Sequence, residues 1–207
     1  MSPAKGRNAL ADVSRETTQR LEIYAQLLAK WNPAINMVGK STLPDLWTRH
    51  FQDSAQIFGL LGPQEVTCVD MGAGGGFPGL VIAILAKEKM PQFHMHCIES
   101  DQRKAAFLNT VIRETGLSAT VHAKRIEDVA PLDANVVMAR ALASLTVLLD
   151  YAKRHLGPDG RAIFLKGASY QKEVDEALAS WDFRLDTYPS ETNSGATILK
   201  IGDIRRV

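Results

Sequence analysis

The run EVTCVDMGAGGGFPG at residues 65–79 constrains the fold of this chain more than any other stretch. Apolar Val66, Cys68 and Val69 lead to an acid, Asp70, which is followed by a cluster of glycines and then by the amphipathic run FPGLVIAILAKEK. A strand, a glycine turn and a helix in this order form the first unit of a doubly wound α/β sheet, at its nucleotide-binding edge. Because glycine has no Cβ, a ligand can lie against bare backbone there.

The rest of the chain alternates predicted strands with predicted helices. Hydrophobic periodicity places strands near residues 66–70, 93–99, 119–123, 135–139 and 161–166. It places helices near residues 78–89, 101–116, 145–156 and 171–181. Two final strands, near 183–188 and 196–202, have no helix between them, so they must pair as an antiparallel hairpin.

The N-terminal part, residues 1–62, is predicted to be a helical cap on the sheet, and residues 63–207 are predicted to form the α/β domain. Apolar side chains recur at helical spacing at Leu21, Tyr24, Leu27, Leu28 and Trp31. We expect a break at Asn32-Pro33 and a second helical piece over residues 43–58. Without a linker or an internal repeat, the whole chain is expected to form one structural unit.

The glycines fit two classes of enzyme. Gly74, Gly76 and Gly79 satisfy the dinucleotide-binding pattern G-x-G-x-x-G. Asp70, Gly72, Gly74 and Gly76 satisfy D-x-G-x-G-x-G, the first motif of S-adenosylmethionine methyltransferases. The closing hairpin favours the second class, because the dinucleotide fold normally keeps helix-connected parallel strands there. We therefore predict a Rossmann-like class I methyltransferase fold, a mostly parallel seven-stranded sheet with a C-terminal antiparallel hairpin.

Two further positions follow predicted strands. Glu99 ends the second strand, 23 residues after Gly76, where a carboxylate accepts hydrogen bonds from ribose hydroxyls. It could instead cap the next helix, a role for which Asp101 is better placed. Ile126 and Glu127 follow the third strand and are candidates for enclosing an adenine, against the alternative of an ordinary solvated loop.

Composition excludes several classes of function. The net charge is +1, so an RNA-binding surface must be a local patch. The longest strongly apolar run, residues 80–86, is too short to cross a bilayer, and the N-terminus has no signal-peptide core. Cys68 and Cys97 lie in strand-like segments without metal-ligand spacing, so we expect buried thiols, no metal and a cytoplasmic protein.

Several motifs together resemble one family. They are WNPAINMVGKS (31–41), RHFQDS (49–54), DMGAGGGFPG (70–79), ESDQRKAAFL (99–108), RIEDV (125–129), ARALASL (139–145) and LKG (165–167). They occur in the order seen in the bacterial 16S rRNA guanine-N7 methyltransferases of the RsmG/GidB family, over about residues 20–202. The chain departs from the usual pattern in having glycine at Gly75, and in having Glu99 where several relatives carry aspartate.

The resemblance implies an activity and a set of contacts. The activity is methylation of N7 of a guanine in the 530 loop of 16S rRNA (position 527), with S-adenosylmethionine as cofactor. The implied cofactor contacts are Gly72, Phe77, Ile126, Glu127 and Arg140. Guanine N7 has a lone pair and no proton, so positioning rather than a general base would do most of the catalysis. The chain also lacks the N/D-P-P-Y/F sequence of amino-group methyltransferases and a loop-end cysteine nucleophile.

Arg140 and Lys166 end the fourth and fifth strands and are the predicted catalytic residues. Arg140 could contact the cofactor carboxylate or guanine O6, and Lys166 an RNA phosphate, although each could instead form an internal ion pair. His50, Asp53 and Ser54 share a helix face by spacing and could close over the cofactor or simply form a polar surface.

The expected partner is 16S rRNA or the small ribosomal subunit, at some stage of its assembly, with no membrane and a monomeric enzyme. Candidate RNA-binding cations are Lys40, Arg49, Lys124, Arg125, Lys153, Arg154, Arg161, Lys172, Arg205 and Arg206. The alternatives are a small-molecule methyltransferase, a NAD-dependent reductase and a non-catalytic ribosome-assembly factor.

Overall fold

The computed structural model describes residues 10–207. Helix α1 spans Arg15–Ile35 and begins at Ser14, whose hydroxyl accepts a hydrogen bond from the Thr17 amide. The expected break at Asn32-Pro33 is wrong, because the helix continues through Pro33 and ends at Asn36 in the left-handed conformation. The Asn32 side chain bonds both the amide and the carbonyl of Val38, which fixes the chain where it leaves the helix.

The second helical piece, predicted over residues 43–58, is present but irregular. A 3₁₀ turn lies before it at Lys40–Thr42, a wide π turn at Trp47–Gln52 runs directly into one α turn, α2, at Asp53–Ala55, and a 3₁₀ turn follows at Phe58–Leu60. The π turn directs two consecutive side chains, His50 and Phe51, into the protein. Tertiary burial here overrides the local preference for a regular helix.

The seven strands form one sheet in the order β3-β2-β1-β4-β5-β7-β6. They are β1 Thr67–Met71, β2 His94–Ile98, β3 Ala119–His122, β4 Ala134–Arg140, β5 Leu156–Lys166, β6 Trp181–Pro189 and β7 Thr197–Arg206. The first five strands are parallel, and β7 is antiparallel to both β5 and β6. The predicted sheet and its hairpin are confirmed, with β7 lying between β5 and β6.

Helices cover both faces of the sheet. Together with α1, α3 (Gly79–Lys89) and α4 (Gln102–Thr115) pack in one hydrophobic cluster, and α5 (Leu145–His155) and α6 (Tyr170–Ala177) pack in the other. The helix predicted to reach residue 181 ends at Ala177, because buried Trp181 already belongs to β6.

The N-terminal segment shares its core with the sheet. Tyr24 and Trp31 of α1 both contact Phe107 of α4, and Leu21 and Leu28 lie in the same cluster. A boundary at residue 62 therefore stays a prediction, since side chains from both sides of it pack in the same hydrophobic cluster. Within residues 10–207, no helix is long and apolar enough to cross a bilayer.

Candidate active site

A large cavity opens at the carboxyl ends of the parallel strands. Its volume is about 1110 Å³, above the ~300–1,000 Å³ of common ligand pockets. The chain order reverses between β1 and β4, which is where ligands bind in doubly wound sheets. The N-terminal segment contributes Gly39, His50 and Asp53 to the cavity lining, and the β6–β7 connection contributes Thr192.

The glycine turn forms the floor of the cavity. Gly72, Gly74 and Gly76 all have positive φ, and of the residues predicted to contact the cofactor, Gly72, Gly74 and Phe77 line the cavity. A Cβ added at Gly74 would meet only the Gly72 carbonyl oxygen, at 3.8 Å. At Gly76 it would instead meet the Tyr24 hydroxyl and Leu80, so Gly76 faces the core and is absent from the cavity lining.

Asp70 lies beneath the glycine turn rather than at the cavity surface. Its Oδ2 accepts a hydrogen bond from the Gly79 amide at 2.8 Å, in the first turn of α3. Its Oδ1 is buried and has no hydrogen-bond partner among the described residues. Burial raises the pKa of Asp70 to about 7, against a smaller lowering by the Gly79 bond. Asp70 therefore joins the end of β1 to α3 and does not line the cavity, and the cofactor contact expected from its motif position stays a prediction.

Glu99 joins the ends of β1 and β2. Its Oε2 accepts a hydrogen bond from the Gly74 amide at 2.9 Å, and its Oε1 accepts one from the Asp101 amide at 2.8 Å. Asp101 is the residue that caps α4, accepting from the amides of Arg103 and Lys104, as expected. The Glu99 carboxylate, which lines the cavity, is thus oriented by two backbone donors while retaining lone pairs for a ligand.

Arg140 is held over the Phe77 ring, with the guanidinium carbon 5.1 Å from the ring centroid. Its Nη1 donates to the Arg49 carbonyl at 3.2 Å and to Asp53 Oδ2 at 3.3 Å, and its Nη2 lies 2.9 Å from His50 Nδ1. Three of its five N–H groups are therefore engaged by protein atoms.

His50 is a neutral link in this network. Burial, and then the positive charges of Arg140 and Arg49, lower the pKa of His50 to about 4. Because Nδ1 faces the Arg140 donor, Nε2 carries the proton and donates to Thr42 Oγ1 at 2.8 Å. The Thr42 hydroxyl donates onward to the Gly39 carbonyl at 2.7 Å. These hydrogen bonds connect Arg140 to the Gly39 carbonyl through His50 and Thr42.

Asp53 ties the same network to the C-terminal hairpin. Its Oδ1 accepts a hydrogen bond from the Thr192 hydroxyl at 2.8 Å. The Gln56 side chain bonds Asp53 and also accepts from the Glu191 amide at 2.8 Å. Of the three residues predicted to share a face, His50 and Asp53 line the cavity, whereas Ser54 is buried away from it.

Lys166 lies at the cavity but is neutralised by an internal partner. Its Nζ forms a 2.6 Å ion pair with Glu173 and donates to the Ala143 carbonyl at 2.9 Å. The same Glu173 carboxylate accepts from the Leu145 amide at the start of α5. An internal ion pair was the alternative for Lys166 in the sequence analysis, and the structure contains it. Its contacts with Glu173 and the Ala143 carbonyl fit a role in holding the loop after β4. A contact between Lys166 and a phosphate stays a prediction.

The remaining predicted pair follows β3. Ile126 is buried and Glu127 is exposed, and both line the cavity. Glu127 accepts a hydrogen bond from the Tyr151 hydroxyl at 2.8 Å, which lowers the pKa of Glu127 together with a backbone hydrogen bond. The site therefore offers an apolar side chain beside a charged acceptor on this side of the cavity.

Sequence reasoning missed Tyr24 and Thr192. The Tyr24 hydroxyl donates to the Gly75 carbonyl, so α1 holds the glycine turn from below. The helical spacing of Tyr24 indicated only a core position. The partner of its hydroxyl is 51 residues away along the chain, so no pattern in the neighbouring sequence predicts the contact. Thr192 lies in a turn-rich segment whose composition predicts a loop but not its partner.

Comparison with known proteins gives a consistent family. The family model described as rRNA small subunit methyltransferase G matches residues 17–194. A protein of Ruegeria pomeroyi named ribosomal RNA small subunit methyltransferase G is 50% identical over 196 residues, covering 95% of this chain and 96% of its own length. A protein of the same name from Rhodospirillum centenum is 50% identical over 192 residues, covering 93% of this chain and 87% of its own length.

Solved structures are similar in fold at low identity. A SAM-dependent methyltransferase from Aquifex aeolicus superposes with a TM-score of 0.58 at 12% identity, over 77% of this chain and 92% of that one. A SAM-dependent O-methyltransferase from Thermotoga maritima gives a TM-score of 0.55 at 16% identity, over 75% of this chain and 66% of that one. These similarities support the class I methyltransferase fold.

Proposed function

The chain belongs to the rRNA small subunit methyltransferase G family, and on that premise we propose that it methylates N7 of a guanine in 16S rRNA, using S-adenosylmethionine. The observation that carries the proposal is the convergence of the glycine turn, Glu99 and Arg140 on one cavity. A ribosomal substrate supports a cytoplasmic location for this activity, which is part of the proposal. The target lies in the 530 loop by resemblance to the family.

The residues of the cavity fit the cofactor. The Gly74 position is open on its cavity side, so a ligand can approach the backbone where a side chain would intervene. Glu99 is oriented to accept hydrogen bonds from ribose hydroxyls, while Ile126 and Glu127 suit an adenine and its amino group. The Asp70 carboxyl lies beneath the turn, and with a pKa of about 7 it is ionised above neutral pH, where it would favour a positively charged amino group. Direct contacts of these residues with the cofactor are proposals.

The proposed chemistry requires positioning and no proton transfer. When bound, the cofactor supplies an electrophilic methyl group on a sulfonium. Guanine N7 attacks with its own lone pair, so the protein need not remove a proton. His50 agrees with this, because both of its ring nitrogens are engaged, by Arg140 and Thr42, and its pKa of about 4 leaves it neutral.

Arg140 has two N–H groups left for a ligand after its three protein contacts. An arginine that pairs with both O6 and N7 of guanine would block the attacking lone pair. Positive charge also moves from sulfur to the base during transfer, so a cation beside the base does not stabilise it. We therefore assign Arg140 to orientation, through guanine O6 or the cofactor carboxylate.

The test is transfer of labelled methyl from S-adenosylmethionine to undermethylated 30S subunits and to protein-free 16S rRNA, with the modified base mapped. We expect label at a guanine N7 in the 530 loop, with preference for the structured subunit. Cofactor binding without RNA labelling would contradict the substrate. Absence of cofactor binding would contradict the whole proposal.

A further inference from the structure

Internal partners set some of the basic side chains of this protein apart. Five of the RNA-binding candidates from the sequence are engaged elsewhere: Arg154 with the Val129 carbonyl, Arg161 with Glu65, Lys172 with Glu176, Arg205 with Asp182 and Arg206 with Asp150. Four of these side chains pair with a carboxylate, and Arg154 donates to a carbonyl. They are therefore poorer candidates for a phosphate-binding surface than cations without such partners.

The cations at the mouth of the cavity are different. Arg49, Lys104, Lys124 and Arg125 all line the cavity, and in the described part of the chain none of them has a carboxylate within ion-pair distance. Lys40 is exposed and follows Gly39, which lines the cavity, and it likewise forms no ion pair with residues 10–207.

These five residues form two rims of the cavity, each from a different part of the chain. The first rim, Lys40 and Arg49, belongs to the N-terminal segment. The second rim, Lys104, Lys124 and Arg125, belongs to the first turn of α4 and to the loop after β3. The positive charge at the cavity therefore comes from two separate segments.

Three of the four acids that line the cavity are engaged by partners inside the protein. Asp53 bonds Arg140 and Thr192, Glu99 accepts two backbone amides, and Glu173 pairs with Lys166. Glu127 is exposed and accepts from the Tyr151 hydroxyl, so its negative charge stays at the cavity near Arg125. The five rim cations outnumber this exposed carboxylate, so the charge around the cavity attracts a polyanion.

We propose that the two rims bind the RNA backbone on both sides of the target guanine, whose base enters the cavity between them. This rests on the proposed function, since it extends the same site. An enzyme that modifies a base must take it out of its stack, and unpaired loops make this easier. A cavity of about 1110 Å³ leaves room for a base beside a cofactor.

The test compares the double variant Lys124→Gln/Arg125→Gln and the single variant Arg49→Gln with Lys153→Gln. Lys153 is a matched control because it is exposed and forms no ion pair within residues 10–207, yet lies on α5 outside the cavity lining. For each protein, the affinity for undermethylated 30S subunits is measured at several salt concentrations. The affinity for S-adenosylmethionine is measured by calorimetry.

The double variant should bind subunits about tenfold or more weakly at ~0.15 M salt. The slope of its log affinity against log salt should become about 1–2 less steep, because a variant that makes fewer phosphate contacts releases fewer counterions when it binds. Arg49→Gln should lose about half as much slope, and Lys153→Gln should match the wild type. Cofactor affinity should stay within about twofold throughout.

Three results would overturn the assignment. If the rim variants keep the wild-type slope, as Lys153→Gln does, the rims do not contact RNA. If cofactor affinity falls in parallel with subunit affinity, these residues belong to the cofactor pocket. If the wild-type protein neither binds nor labels subunits at any salt concentration, the proposed function itself fails, and the rims with it.

Discussion

Asp70 shows how a residue outside the cavity lining can support a site. It is buried beneath the glycine turn, where one carboxylate oxygen holds the Gly79 amide and the other has no hydrogen-bond partner among the described residues. A Cβ at Gly79 would lie 2.6 Å from Asp70 Oδ2, so the glycine permits this close approach. The acid and the glycine together fix the angle between β1 and α3.

This burial predicts an unusual dependence of stability on pH. The pKa of Asp70 rises from 3.8 to about 7 on folding, so the folded state holds the proton more tightly than the unfolded state. Stability is therefore greatest below the unfolded value and is lost as pH rises through about 7. Relative to Asp70→Asn, the wild type should lose about 2–3 kcal/mol of unfolding free energy between about pH 5 and pH 8. Urea denaturation of both proteins measures this, and parallel pH curves would contradict it.

Glu99 should control cofactor affinity. Hydrogen bonds to a charged group contribute roughly 1.5–3 kcal/mol, so Glu99→Ala should weaken S-adenosylmethionine binding by about tenfold to a hundredfold. Asp101→Ala is the matched control, because it removes the α4 cap at a cost of about 1 kcal/mol but keeps the backbone amide that orients Glu99. Calorimetry separates them, and equal losses in both variants would argue against a ribose contact.

At the scale of elements, the glycine turn depends on helix α1. The Tyr24 hydroxyl donates to the Gly75 carbonyl, and the Tyr24 ring stacks on Phe77 with centroids 5.3 Å apart. Phe51 contacts both rings edge-on. The N-terminal segment thus supports the cavity floor in addition to covering the sheet.

The close approach of α1 to the turn makes Gly76 intolerant of a side chain. A Cβ at Gly76 would lie 2.5 Å from the Tyr24 hydroxyl and 2.8 Å from Leu80, at a φ of 92°. Gly76→Ala should therefore reduce the free energy of unfolding by about 2–5 kcal/mol, combining overpacking and backbone strain. Gly59→Ala meets nothing within 4 Å and should change stability by less than about 0.5 kcal/mol. Similar unfolding midpoints for the two variants would refute this packing argument.

At the scale of the whole molecule, the site joins three distant parts of the chain. Asp53 contacts Arg140, 87 residues away, and Thr192, 139 residues away. The N-terminal segment, the end of β4 and the β6–β7 connection are therefore held together at the cavity wall. Thr192 at the hairpin tip and the Arg140 guanidinium share the Asp53 carboxylate as a partner.

Thr192→Val should loosen this connection. Losing the hydroxyl that bonds Asp53 costs about 1 kcal/mol, so the Glu191 amide, held by neighbouring Gln56, should exchange with solvent about fivefold faster. Thr187→Val is the control, because that residue is exposed on β6 away from the cavity lining. Hydrogen exchange measures both, and unchanged protection of Glu191 would show that Asp53 does not hold the tip.

Prediction from the sequence succeeded best for features that depend on neighbouring or periodically repeated residues. The alternation of strands and helices, the closing hairpin and the Asp101 cap were all predicted and are present. The helical piece predicted over residues 43–58 is present, but its π geometry, which buries both His50 and Phe51, was not predicted. Lys166 was predicted as a site residue, but its internal partner Glu173 was not.

The sequence by itself determined the sheet, the glycine turn and the family, because hydrophobic period, backbone freedom at glycine and motif order are properties of neighbours along the chain. Only the tertiary structure decided that Asp70 lies below the turn, that Tyr24 supports it and that Asp53 joins Arg140 to Thr192. It also separated compensated cations from those at the cavity mouth. These contacts depend on which side chains the packed core brings together, and the spacing of residues along the sequence does not predict their distances in the folded protein.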